Sequence, residues 1–198
     1  SDEQLAQLAK RVRLVTVARR FDGVDAAYSD NYLGAQRATQ LLLEHGHKNI
    51  VFLSNPQTDG YLDRQRGYEE TMRQAREEPR IVPSSYSRTE AAADALAVLN
   101  TDASPTAFFA HNDQAALGVL DALVTKGLKP GKDVSVVGYD NSTIGQMPIS
   151  ALTTVNLDGA ELGRQAAQLA VVRLADKTAP AEHVVLKPTL VERASTQR

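Results

Sequence analysis

The stretch Asp133-Val-Ser-Val-Val-Gly-Tyr-Asp140-Asn141 decides the fold class of this chain. Small and β-branched apolar residues run as far as Val137, and Gly138 and polar residues follow at once. An apolar run that ends in a turn signal is typical of a buried parallel strand. Since ligands of open α/β sheets bind beyond the carboxyl ends of the strands, the pattern places the Asp140 carboxylate at a potential binding site. The alternative is that Asp140 caps a turn, where Asp is common.

A second strand is predicted to end in the same way. Thr106-Ala-Phe-Phe-Ala-His111 is mostly apolar, and Asn112 then precedes a segment with helical apolar spacing that Gly127 closes. This order predicts a βαβ unit in which Asn112 is the N-cap of the helix. Because parallel strands end at the same sheet edge, Asn112 and Asp140 together favour a ligand cleft.

Composition excludes several classes of protein. The 198 residues carry a net charge of −2, contain no cysteine and show no block of Lys or Arg. Disulfides and cysteine-based metal sites are therefore excluded, and a DNA-contacting surface, which would normally be basic, is not expected in these residues. No apolar run approaches the ~20 residues of a membrane span. The start, Ser1-Asp-Glu-Gln, lacks signal-peptide features, so we expect a cytoplasmic protein without membrane association.

The whole chain alternates predicted helices and strands, which indicates an α/β fold with mostly parallel sheets flanked by helices. No nucleophile elbow, phosphate-binding loop or dinucleotide fingerprint is present. Asp113 and Asp140 form the one plausible carboxylate pair for a glycosidase, but a favourable position in the first turn of a helix suffices to explain Asp113. We therefore expect no catalytic residue and no cofactor. We also expect no metal site, because the four histidines lack ligand spacing.

Seven sequence elements carry further information. They are Asp30-Asn31-Tyr-Leu-Gly34-Ala35, Gly46-His47-Lys-Asn-Ile50, Arg64-Gln-Arg-Gly67-Tyr68, Pro105 to Asn112-Asp113 with Leu117-Gly118, Val134 to Asn141, Leu152-Thr-Thr-Val155, and Pro188 to Thr196. In their order and spacing, these elements resemble the signature of the lac repressor/gal repressor transcription factors. Each element alone is weak evidence, whereas the ordered set is highly specific.

The resemblance implies a two-lobed domain of the periplasmic-binding-protein type. Residues 1–48 and 157–178 would form a partial N-terminal lobe, and residues 49–156 and 179–198 the C-terminal lobe. Family members begin this domain with further β-α units and carry a helix-turn-helix headpiece that binds operator DNA. The expectation is therefore an N-terminally truncated effector-binding domain whose first lobe is incomplete and whose headpiece is absent.

The resemblance also implies the site. Effector contacts of the family carry over to Arg64, Asn112 and Asp140, and Tyr86 falls where an aromatic residue often packs on the ligand. For a sugar, Asp140 would accept hydrogen bonds from hydroxyls, Arg64 would donate as a fork, Asn112 would do both, and Tyr86 would offer an apolar face. The same set would suit a nucleobase or nucleoside, so the chemical class of the effector stays open.

The residue types alone also permit ordinary structural roles. Arg64 could be a surface helix residue paired with Asp63 or Glu69, and Tyr86 could be a half-exposed loop aromatic. Leu157 stands where relatives often carry a glutamine that frames the pocket, so we expect the effector to differ from those of familiar members.

The function that the resemblance implies is a ligand-sensing domain of a transcriptional regulator, most simply a repressor. A small effector, a sugar in the first instance, would bind between the lobes of a homodimer and control operator binding allosterically. The alternative is a periplasmic sugar-binding protein of a transport system, which would need an export signal. A third possibility is an interaction module with a vestigial cleft.

Overall fold

The structure is a computed structural model that describes residues 2–56, 60–102, 104–176 and 178–197. The chain divides into two compact units. Unit 1 comprises Ser1–Asp30 and Leu157–Lys187, and unit 2 comprises Asn31–Asn156 and Pro188–Arg198.

Helices and strands alternate along most of the chain, as the sequence predicts. The helices are α1 (Asp2–Ala9), α2 (Asn31–Glu44), α3 (Tyr61–Gln74), α4 (Arg88–Thr101), α5 (Asp113–Thr125) and α6 (Gly159–Ala175). The strands are β1 (Val15–Val17), β2 (Asp25–Ser29), β3 (Ile50–Ser54), β4 (Arg80–Pro83), β5 (Ala107–Ala110), β6 (Ser135–Asp140), β7 (Thr153–Asn156), β8 (His183–Leu186) and β9 (Thr189–Val191). Within the described ranges, no helix has the length and apolarity needed to cross a bilayer.

Unit 1 is a three-stranded parallel sheet in the order β1-β2-β8, covered by α6. The helix buries Leu162, Ala166 and Leu169 against Ala27 of the central strand. These residues recur at helical spacing, so one apolar face of α6 closes one side of the small sheet.

A buried ion pair connects the sheet of unit 1 to the last turn of α6. The Asp25 carboxylate, 3% exposed, accepts hydrogen bonds of 2.7 and 2.8 Å from the Arg173 guanidinium. It also accepts one of 2.9 Å from the Glu182 backbone N–H. The hydrogen bonds from Arg173 hold the pKa of Asp25 below its usual value, so the carboxylate is charged in the folded state.

Unit 2 contains a six-stranded sheet in the order β4-β3-β5-β6-β7-β9, in which every pair is parallel except the antiparallel pair β7–β9. Side chains of β3 alternate between the two faces, as strand geometry requires. Val51 and Leu53 join a core cluster with residues of α4 and α5, whereas Phe52 stacks on Tyr68 of α3 at 5.2 Å. The predicted α/β fold with mainly parallel sheets and flanking helices is confirmed.

Two glycines let α2 approach α3 and β6 closely. A Cβ at Gly67 would lie 2.5 Å from the backbone oxygen of Tyr32, and one at Gly34 would lie 2.1 Å from the Tyr139 hydroxyl. Real Cβ atoms do not approach so closely, so these two positions require glycine. The close contact brings the N-terminus of α2 beside the first turn of α3.

The division into units differs from the predicted lobe boundaries at two places. The first crossing lies between residues 30 and 31 rather than 48 and 49, because α2 packs on α3 and β6 within unit 2. The last lies between residues 187 and 188 rather than 178 and 179, because β8 pairs with β2 in unit 1.

Candidate functional site

Predicted contact residues meet at the carboxyl edge of the unit 2 sheet. Asp140 is the last residue of β6, and Asn112 follows the neighbouring parallel strand β5. Arg64 lies in the first turn of α3, where its Nη2 is 3.9 Å from Oδ1 of Asp140. The parallel topology therefore gathers these side chains within one unit.

Arg64 is a buried structural cation rather than the surface helix residue that its type alone would permit. It is 4% exposed, and Asp63 pairs instead with Arg66 at 3.2 Å. Each nitrogen of the Arg64 guanidinium has a protein partner. Nε donates to Asn31 Oδ1 at 2.8 Å, Nη1 donates to the His111 backbone oxygen, and Nη2 pairs with Asp140. The donor fork expected to hold a ligand is thus engaged within the protein.

An aromatic ring completes the surroundings of the guanidinium. The Arg64 Cζ lies 3.8 Å from the ring centroid of Tyr139, which is a cation–π contact. Tyr139 itself is fully buried, and its hydroxyl donates to the Asn31 backbone oxygen at 3.3 Å. Arg64 is therefore held in one position before any ligand arrives.

Asp140 combines partial exposure with an elevated pKa. Its side chain is 39% exposed, so the carboxylate is open to a ligand on one side. Desolvation by the surrounding protein raises the pKa of Asp140 to about 6; Asp113 acts in the same direction, and Arg64 opposes it. At pH 7 the group is mainly a charged hydrogen-bond acceptor, close to the pH at which it takes up a proton.

The backbone at Asp140 is strained. Its φ is 106°, and Asn141 follows at 51°. Such values cost about 1–3 kcal/mol in a non-glycine residue and persist only where the surroundings enforce them. Here Asn141 is anchored: its N–H donates to Thr154 Oγ1 at 3.2 Å, and its Oδ1 accepts from Arg193 Nη2 at 2.8 Å. The anchored turn fixes the direction of the Asp140 side chain.

Asn112 has the structural role that the sequence predicts. It is the N-cap of α5, and its Oδ1 accepts a hydrogen bond of 2.8 Å from the Ala115 N–H. The residue is 2% exposed. The amide donors of Asn112 are not used in this cap, so they are the groups that it could offer to a ligand.

Tyr86 lies in the loop between β4 and α4 and is 53% exposed. Its ring contacts the His111 imidazole edge to face, with centroids 5.7 Å apart. Because His111 precedes Asn112 and accepts a hydrogen bond from Arg64, this contact connects Tyr86 with the other three predicted residues.

Asp113 ties the start of α5 to the segment after β6. Its Oδ2 accepts from the Ser142 N–H at 2.6 Å and from the Ser142 hydroxyl at 2.8 Å, and its Oδ1 accepts from the Thr154 hydroxyl at 2.6 Å. Burial raises the pKa of Asp113. Both carboxylate oxygens are therefore occupied, so Asp113 is poorly suited to act as one of two catalytic carboxylates.

Three further residues of the site were missed by sequence reasoning. Asn31 enters the sequence analysis only as part of the family signature, His111 only as one of the four histidines without ligand spacing, and Tyr139 only as part of a buried strand. Tyr139 could have been found from its position next to Asp140. Asn31 and His111 reach Arg64 through the packing of α2 and β5, and no local signal reveals this. In the described part of the chain, no cluster of three or more His, Asp or Glu side chains could hold a metal ion.

Comparisons with known proteins match this architecture. The family model of the periplasmic binding protein-like domain matches residues 39–196. Among relatives, the repressor PurR of Histophilus somni is 32% identical over 181 residues, which cover 89% of this chain and 54% of the relative. The ribose operon repressor of Escherichia coli K12 is 32% identical over 184 residues, covering 88% and 54%. The chain thus spans about half the length of these curated relatives.

Solved structures are similar over the whole chain. A LacI transcriptional regulator from a Rhodococcus species is 33% identical with a TM-score of 0.93, and the match covers 100% of this chain and 74% of that one. A LacI family regulator from Enterococcus faecalis, with bound ribose, is 26% identical with a TM-score of 0.88 and the same coverage.

Proposed function

Because this chain belongs to the LacI family of transcriptional regulators, we propose that it is the effector-sensing part of a DNA-binding regulator, most simply a repressor. The effector would be a small hydroxyl-rich molecule, a sugar in the first instance, bound through Asp140, Asn112, Tyr86 and the Arg64 that supports them. Its binding would control operator affinity allosterically. Operator contact would be made by a headpiece outside these 198 residues.

The proposed effector chemistry rests on the polarity of the edge formed by Arg64 and Asp140. The Arg64 nitrogens are engaged by protein groups, and its charge compensates that of Asp140. What remains for a ligand is chiefly an acceptor, the partly exposed carboxylate. Such a surface suits hydroxyl or N–H donors and disfavours anions. A sugar effector is consistent with the names of two similar proteins, since one is a ribose operon repressor and one is a solved structure with bound ribose.

A role in transcription regulation is favoured over a role as a periplasmic sugar-binding protein, because the matched relatives are transcriptional regulators. We propose no catalytic activity, since both oxygens of Asp113 are engaged and the relatives are repressors. A cytoplasmic location follows from the proposed action on operator DNA.

Ligand binding tests the proposal. We expect isothermal titration calorimetry with a panel of sugars and nucleosides to identify at least one effector. Asp140→Asn should reduce affinity at least tenfold and Arg64→Lys should do the same, because the lysine cannot reproduce three separate contacts. Asp63→Asn, an exposed neighbour on α3, is the matched control and should bind like wild type. Wild-type affinity in both site variants would exclude this site.

We also propose that the protein is a homodimer, on the basis of an apolar groove in unit 2. The groove has a volume of about 720 Å³ and lies between α5 and the segment after β6. It includes Ile149, which is 96% exposed, and Val124, which is 69% exposed. Exposed apolar side chains concentrated in one groove are typical of protein interfaces.

Sedimentation equilibrium tests this pairing. The wild-type chain should be a dimer at micromolar concentration, and Ile149→Glu should be a monomer. Val171→Glu, at an apolar position of unit 1 that is 66% exposed, serves as the control and should remain dimeric. A monomeric wild type, or a dimeric Ile149→Glu, would count against this surface.

A further inference from the structure

His111 presents a hydrogen-bond acceptor at the carboxyl end of β5. Its Nδ1 lies 3.2 Å from the Leu53 carbonyl oxygen, and the imidazole is completely buried. A carbonyl oxygen can only accept, so Nδ1 carries the proton and Nε2 carries a lone pair. Burial lowers the pKa of His111 to about 4, which keeps the ring neutral at pH 7.

The lone pair of Nε2 is not satisfied by the protein. Nε2 is buried and has no hydrogen-bond partner among the described residues, and the same holds for the Ser84 hydroxyl. A buried polar group without a partner is costly, and in native structures such groups are rare. Ser84 follows β4, and its N–H donates to the Ser54 oxygen at the end of β3 at 2.8 Å. Both atoms thus belong to the strand-end edge that carries Asp140.

Tyr86 flanks His111 at the exposed edge of the site. The tyrosine ring is in edge-to-face contact with the imidazole and lies in a loop. Because the tyrosine is 53% exposed, it can turn aside or pack on a ligand without disturbing the core.

We propose that His111 is a specificity-determining residue whose Nε2 accepts a hydrogen bond from a hydroxyl or N–H group of the effector. The inference rests on the proposed function and deepens it. With acceptors at both Asp140 and His111, the ligand must present at least two hydrogen-bond donors. A neutral polyol or an amino-bearing nucleoside satisfies this requirement, and a ligand that presents a phosphate to this edge does not.

Two substitutions separate the acceptor from the rest of the side chain. His111→Asn keeps an N–H near the position of Nδ1, so donation to Leu53 is retained, but it has no atom at the position of Nε2. His111→Gln places a carboxamide oxygen near that position and restores an acceptor. The two variants are tested on the 198-residue chain with D-ribose, D-glucose and adenosine, and with the monodeoxy analogues of each probe that binds.

The expected result is a selective loss of one contact. His111→Asn should weaken binding about two- to tenfold, the range of one hydrogen bond between neutral groups. For wild type, one monodeoxy analogue should bind more weakly than its parent sugar or nucleoside by the same factor. For His111→Asn, that analogue and its parent should bind with equal affinity. His111→Gln should recover part of the difference. A structural role for His111 would instead weaken every analogue equally and would overturn the proposal.

A measurement on the wild type keeps the test decisive if His111→Asn does not fold. The ¹⁵N resonance of His111 Nε2 should shift toward a hydrogen-bonded value on addition of a binding probe, and an unchanged resonance in a probe-bound protein would refute the contact. If neither these probes nor the panel of sugars and nucleosides binds the wild type, the sugar or nucleoside function fails and the subsite fails with it. If the affinity for a probe depends on Asp140 but not on His111, the subsite alone fails.

Discussion

The Asp113 carboxylate is the point at which the stability of unit 2 and the geometry of the site can be perturbed together. We consider Asp113→Asn, which keeps the shape of the side chain and removes its charge. The wild-type carboxylate accepts three hydrogen bonds, two from Ser142 and one from the Thr154 hydroxyl. Asparagine offers a single acceptor oxygen, so the Ser142 pair and the Thr154 hydroxyl cannot all be satisfied as before.

The magnitude follows from two opposing terms. A hydrogen bond to a charged group contributes about 1.5–3 kcal/mol, so weakening the set would cost several kcal/mol. Burial raises the pKa of Asp113, which means that the folded protein holds this charge at a desolvation cost that asparagine avoids. This relief offsets part of the cost, and because donors of Ser142 and Thr154 are left without their acceptor, we expect a net loss of about 1–3 kcal/mol in the free energy of unfolding.

Urea denaturation followed by circular dichroism measures this loss. The matched controls are Thr154→Val and Asp63→Asn. Thr154→Val removes the donor to Asp113 and the acceptor of the Asn141 N–H and should cost about 1–2 kcal/mol, whereas Asp63→Asn on the surface should be within about 0.5 kcal/mol of wild type. The segment after β6 should also loosen in Asp113→Asn, with faster amide exchange at Ser142. An Asp113→Asn protein within about 0.5 kcal/mol of wild type would refute the reasoning.

Three further outcomes follow from the structure. Since the ionised carboxylate of Asp140 is a stronger acceptor than the protonated form and its pKa is about 6, effector affinity should fall as the pH drops through about 6 in calorimetric titrations, whereas Asp140→Asn should show no such step. Asp25→Asn should destabilise unit 1 by roughly 3 kcal/mol at pH 7. Because the pKa of Asp25 is lowered in the folded protein, the stability that its charge provides is lost as the pH falls below 3.8, the usual pKa of Asp. The difference in the free energy of unfolding between Asp25→Asn and wild type should therefore shrink at such pH values in a series of urea titrations. Gly67→Ala should lower the melting temperature, because its Cβ would meet the Tyr32 backbone oxygen at 2.5 Å.

Local signals in the sequence predicted the parts of the site that depend on chain direction. The polar residues after β5 and β6 were predicted to share an edge because parallel strands end together, and the pairing of these strands confirms it. The N-cap role of Asn112 was also predictable, since a cap bonds within its own first turn.

Tertiary packing produced what the sequence could not predict. The fork of Arg64 was expected to hold a ligand, but its partners are Asn31 of α2 and the backbone oxygen of His111, the residue after β5. The boundary of unit 2 was misplaced for the same reason, because only the packed structure shows that Gly34 and Gly67 bring α2 onto α3 and β6. Contacts between elements distant in sequence leave no periodic signal.

The backbone of Asp140 offers a test of whether this strand end is shaped for binding rather than for stability. A φ of 106° is readily adopted by glycine and strained for other residues. Asp140→Gly and Asp140→Ala both remove the carboxylate, but glycine alone relieves the strain. We therefore expect Asp140→Gly to be more stable than Asp140→Ala by about 1–2 kcal/mol in urea titrations, while both lose effector binding. Equal stability of the two variants would show that the anchored turn, not the residue at position 140, absorbs the strain. A glycine variant that is as stable as wild type but does not bind would show that the carboxylate is retained for its contact with the ligand.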